Sequence, residues 1–131
     1  MKNKVFKFLS LILFLFSLSG FRTNIAFNKA QQSKLVFLTA AQNIYSGNCS
    51  DGATIQIQSP SGTPQNTASN LTVNLTTTGS LQFFSDSTCT SSISNITIVA
   101  GSSVKSFYFM FSANGSETIT AAANGYSSAT Q

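Results

Sequence analysis

Between Ala53 and Gln58 the chain alternates without a break: Ala53, Ile55 and Ile57 against Thr54, Gln56 and Gln58. A period of two puts every apolar side chain on one face of a strand, whereas a helix would scatter them around its circumference. The same pattern returns at Leu71, Val73 and Leu75 against Thr72, Asn74 and Thr76, and more briefly at Leu81-Gln82-Phe83. Ile93 to Ile98 alternates loosely, Lys34 to Thr39 opens the series, and Thr118 to Ala122 and a piece ending at Gln131 close it. Half-buried strands of this kind need a second apolar layer to cover them.

Turn chemistry separates the strands. Ser46-Gly47-Asn48, Asp51-Gly52, the run from Ser59 to Pro64, Thr78-Gly79, Ala100-Gly101, Asn114-Gly115 and Asn124-Gly125 all carry residues that favour corners. About eight strands at spacings of roughly 8–12 residues predict a sandwich or a barrel. Charged residues make up only 8 % of the 131, with Ser, Thr, Asn and Gln as the main polar types. No helix is expected outside the leader.

The segment from Val104 to Phe111 behaves differently. Val104, Ser106, Tyr108 and Met110 oppose Lys105, Phe107, Phe109 and Phe111, and in the second half both faces are apolar. Such a strand lies deep in a sandwich or presents a sticky outer face. On the second reading Phe107, Phe109 and Phe111 form a binding surface for sugar or peptide.

The first seven residues carry three lysines and no acid, and Phe8 to Leu18 is an apolar run of eleven. This is the form of a secretory signal peptide, too short for the roughly 20 apolar residues that a membrane span requires. The expected division is a signal peptide at 1–19, a flexible tether at 20–33 and one domain at 34–131. Export would take the chain to the periplasm, the cell surface or the medium, with no integral span once the leader is cut. The net charge of +4 resides in the leader region; from Gln31 onward Lys34 and Lys105 face Asp51, Asp86 and Glu117. A basic stripe for nucleic acid is therefore missing.

Cys49 and Cys89 are the only cysteines, so an exported chain has one connectivity open to it. Closing a loop of about 40 residues removes roughly 4 kcal/mol of unfolded-state freedom. There is no histidine, and three scattered carboxylates offer little for proton transfer, attack or metal binding. No catalytic residue, cofactor or metal site is expected.

The run from Lys34 to Gln131 resembles one module of the bacterial immunoglobulin-like repeats of invasin- and intimin-type surface proteins. The resemblance rests on Lys34-Leu35-Val36-Phe37, the 53–58 strand with its Ser-Gly-x-Pro turn, Ile98 to Ser103 before the aromatic strand, and Thr118-Ile119-Thr120-Ala121 with Asn124 to Gln131. It implies an immunoglobulin-like β-sandwich of about 7–8 strands and an adhesive or structural, non-catalytic role at the cell envelope. The alternative is a small secreted binder or inhibitor that recognises a glycan or protein. A third course follows from the final strand, which is shorter than the family pattern: an open C-terminal edge would invite self-association by strand exchange.

Overall fold

The computed structural model describes residues 31–131, so the leader and most of the tether fall outside the described residues. Among the described residues nine strands form: β1 (Lys34–Phe37), β2 (Ala53–Gln58), β3 (Leu71–Thr77), β4 (Gln82–Phe84), β5 (Ser92–Ile93), β6 (Asn95–Ile98), β7 (Val104–Met110), β8 (Ile119–Ala122) and β9 (Ala129–Thr130). They make two antiparallel sheets, β1-β2-β7-β4-β5 and β6-β3-β8-β9. The fold is an immunoglobulin-like β-sandwich, with two of its nine strands only two residues long.

The alternation seen in the sequence becomes the core. Ala53, Ile55 and Ile57 of β2 meet Val73 and Leu75 of β3, Ile96 and Ile98 of β6, and Ile119 and Ala121 of β8 in one buried cluster. Strand β7 lies between β2 and β4, and its Phe107 and Phe109 point inward. Phe107 packs edge-on against Phe37 at 6.4 Å and Phe83 at 5.8 Å, and Phe109 packs the same way on Phe111 at 6.1 Å. Such edge-to-face pairs contribute about 0.5–1.5 kcal/mol beyond their buried area.

That arrangement corrects the binding-surface reading of the aromatic strand. Phe107 is 0 % exposed, Phe109 2 % and Phe111 9 %, so the three rings are core. The sequence separates the two faces of the strand correctly; only the partner sheet determines which of two apolar faces turns inward.

Both lateral sides of the sandwich are bridged. On one side the chain runs from β5 of the first sheet through Ser94 straight into β6 of the second. On the other, Leu35 N donates to Ser127 O at 2.9 Å and Ser127 N to Ser33 O at 3.0 Å, joining β1 to the segment before β9. The strand beside the C-terminal one, β8, is accordingly not left partly unpaired as expected. Ile119 and Gln131 exchange both backbone hydrogen bonds, at 2.9 and 3.0 Å, so the short last strand still pairs β8 from its first residue.

Candidate functional site

The chemistry-bearing residues gather in three places. The first is the disulfide. Cys49 and Cys89 are bonded, with Cα atoms 5.7 Å apart, within the usual range for such bridges. Cys49 lies opposite Met110 of β7, and Ala53 lies opposite Phe107. Four steps on the β2 side thus match three on β7, which makes a β-bulge. Buried Ser50 repairs the ladder there: its N–H donates to Phe109 O at 2.8 Å and its hydroxyl accepts from Phe109 N at 2.9 Å. Since Phe109 faces the core, Met110 and the cysteine beside it sit on the outer face.

Cys89 reaches that face from the loop after β4, which is organised by Asp86. The Asp86 carboxylate accepts from Thr88 N (3.1 Å), Thr90 N (3.1 Å), the Thr90 hydroxyl (3.0 Å), Ser91 N (2.7 Å) and the Thr88 hydroxyl. Cys89, at the centre of these donors, has a φ of +51°, unusual for a residue with a side chain. The Thr88 hydroxyl and the N–H groups of Thr90 and Ser91 hold the Asp86 carboxyl well below the usual carboxylate range.

The second place is Glu117, before β8. Its carboxylate accepts from Ser80 N (2.7 Å), Leu81 N (2.9 Å), the Thr77 hydroxyl (2.9 Å) and the Ser80 hydroxyl (3.1 Å). Burial pushes its pKa up, but the hydrogen bonds from Ser80, Thr77 and Leu81 outweigh it and leave the group below its ordinary value. Gly79 makes room for this contact: a Cβ there would lie 2.5 Å from Glu117 Oε1.

The third is a cleft of about 390 Å³ above Glu117, lined by residues 41–45 of the β1–β2 connection and by Phe111, Gly115 and Ser116. Tyr45 stands at its rim, 82 % exposed. Gln42 steadies the floor by clamping Asp51: its Nε2 donates to Asp51 O and its Oε1 accepts from Asp51 N. A smaller cavity of about 40 Å³ adjoins it through Ala41, Gln42, Phe111 and Glu117, and Gln131 lines that cavity. Gln131 Oε1 is buried and has no hydrogen-bond partner.

The sequence reading anticipated the cysteine pair but neither carboxylate clamp nor the cleft. The Asp86-x-Thr-x-Thr-Ser spacing was the available signal for the first clamp, because short polar side chains next to an Asp form local turns. Nothing local signalled the second. Among the described residues, no group of three or more potential metal ligands comes together, and no helix is long and apolar enough to cross a membrane.

These features define a disulfide-braced immunoglobulin-like sandwich. No family model and no curated protein matches the chain. Its fold is similar to part of the crystal structure of Parabacteroides merdae β-glucuronidase (GUS), with a TM-score of 0.50 and 10 % identity. The match takes in 77 % of this chain and 12 % of that one. At such identity the likeness is one of fold alone.

Proposed function

We propose that the chain is an exported, non-catalytic immunoglobulin-like module that acts by contact at the cell envelope, in an adhesive or structural role of the kind served by invasin- and intimin-type modules. The observation that carries this is the state of its acids: Asp86 is surrounded by donors from its own loop, and Glu117 by donors from the end of β3 and the turn that follows it. A carboxylate saturated in this way, with its pKa lowered, is a poor proton acceptor at neutral pH. The disulfide supports export, because such bridges persist in oxidising compartments. Assays of purified protein with broad hydrolase substrates are expected to give no turnover. A rate abolished by Glu117→Gln or Asp51→Asn would overturn the proposal.

A second reading, a small glycan-binding domain, is favoured by the cleft under Tyr45. An exposed aromatic ring beside a polar recess suits sugar rings, and Gln131 Oε1 awaits a donor below it. A glycan array with wild type and Tyr45→Ala separates the two: a spacer module enriches no glycan, whereas a lectin-like domain loses its signal with the ring.

A further inference from the structure

Strand β6 is the outer strand of the second sheet, and half of its backbone faces outward. Leu75 N donates to Ser94 O at 2.9 Å, which makes Leu75 and Ser94 a hydrogen-bonded pair. In an antiparallel ladder such pairs alternate, so Val73/Ile96 and Leu71/Ile98 are hydrogen-bonded and Thr72/Thr97 and Asn74/Asn95 are not. The N–H and C=O groups of Asn95 and Thr97 therefore point away from β3 to an edge left open among the described residues. Natural edges are usually protected by Lys, Pro, charge or a bulge. Asn95-Ile96-Thr97-Ile98 has no charge and no proline, and no charged residue occurs in β3, β6, β8 or β9.

At the Ser94 end of this edge a recess of about 360 Å³ opens between the sheets, with Leu75, Leu81, Phe83 and Ile93 in its walls and Gln82, Ser92 and Ser94 beside them. A strand added to β6 and running past Ser94 would lay an inward-facing side chain over it. An apolar side chain fits those walls.

The chain itself carries a matching segment. In residues 21–27, Phe21, Thr23, Ile25 and Phe27 alternate with Arg22, Asn24 and Ala26. This is the period of a half-buried strand. The segment leads into β1, which is tied to Ser127 on the side of the sandwich away from β6. From there to a strand beyond β6 is four strand spacings, about 19 Å straight through the second sheet and further around it. Six residues from Ser33 back to Phe27 reach at most about 21 Å. A chain's own segment would reach its own β6 only at nearly full extension, whereas a neighbour's is free of that constraint.

We propose that residues 21–27 of one copy add as a strand to β6 of a second copy, with Ile25 or Phe27 in the recess beside Ile93. This deepens the contact role above and depends on a leader cut after Ser19, which keeps the segment in the exported protein.

Sedimentation equilibrium of the mature chain starting at Gly20 tests it. Wild type is expected to self-associate. Ile25→Glu with Phe27→Glu, changes outside the sandwich, should weaken association at least about tenfold (~1.4 kcal/mol). Thr97→Pro should do the same, because its N–H faces the open edge and no bond to β3 is lost. A synthetic peptide of residues 20–30 should compete. A chain that stays monomeric, or one that associates equally well with both glutamates, overturns the proposal. Association lost with Thr97→Pro but indifferent to the glutamates also overturns it, and assigns the edge to a second β6. Mass spectrometry showing a cut after Ala26 would remove the segment and sink the inference while leaving the contact module in place.

Discussion

Asp86 and Glu117 do the same chemical work in opposite ways. Each is a carboxylate that gathers backbone N–H and hydroxyl donors, and each has its pKa lowered as a result. The donors to Asp86 lie two to five residues ahead of it in the chain. The donors to Glu117 lie 36 to 40 residues behind it, at the end of β3 and in the connection to β4. Asp86 shapes one loop, while Glu117 joins the end of one sheet to the start of a strand in the other. A local clamp can form before the fold exists; a distant one forms only with it and adds to global stability.

The disulfide complicates this contrast, since it fastens the Asp86 loop to the segment before β2 and thereby gives a local element a distant anchor. Removing it should produce the largest effect. Cys49→Ser with Cys89→Ser, or reduction, is expected to cost roughly 4 kcal/mol through the loop of about 40 residues. For a domain near 100 residues that is a drop in Tm on the order of 20 °C. A melting curve unmoved by reductant would show that the bridge does not brace the fold.

Next comes Glu117→Ala, which leaves the N–H groups of Ser80 and Leu81 without their acceptor. Hydrogen bonds to charged groups contribute about 1.5–3 kcal/mol before solvent replaces part of the loss at a half-buried site. A loss of about 1–2 kcal/mol in urea unfolding is expected. Gly79→Ala sharpens the point, because its Cβ would displace the same carboxylate. Alone it should cost somewhat less than Glu117→Ala. In the Glu117→Ala background its cost should largely vanish, since the two act on one contact. Full additivity in that cycle would mean that Gly79 serves the backbone and not the acid.

The same division between local and distant explains what could be read before the structure. The faces of β2 and β3 follow from alternation within six or seven residues, and Cys49–Cys89 follows from there being only two cysteines. Strand β7 shows where this stops, because the sequence distinguishes its faces but Phe83 and Phe37, far along the chain, decide that Phe107 faces inward. The bulge at Ser50 is a mismatch between Ser50 and Phe109, 59 residues apart, and has no signature in either strand alone. Glu117 before a strand looks like any solvated acid until Gly79, Ser80 and Leu81 are beside it. The cleft under Tyr45 needs two loops to meet and is hidden for the same reason.

The smallest effect separates the two acids by pH. Both carboxyls have folded pKa values below their unfolded ones. Their contribution to stability is thus fully present above the ordinary carboxylate range near pH 4 and is lost as pH falls through the folded values. With no histidine in the chain, stability should be flat from about pH 5 to 8 and decline below about pH 4. Glu117→Gln should flatten that acid limb, because the group it neutralises is bound only in the folded state. Asp86→Asn should change it less. The Asp86 loop is exposed, can partly form in the unfolded chain, and stays closed by the disulfide even when the carboxylate is neutral, so part of its pKa lowering persists in the unfolded chain and drops out of the difference. Its loss should instead be read locally, as faster hydrogen exchange at the amides of Thr90 and Ser91 with the melting temperature almost unchanged. If Asp86→Asn flattens the acid limb as much as Glu117→Gln, the loop is part of the global folding unit and the distinction between a local and a distant clamp fails.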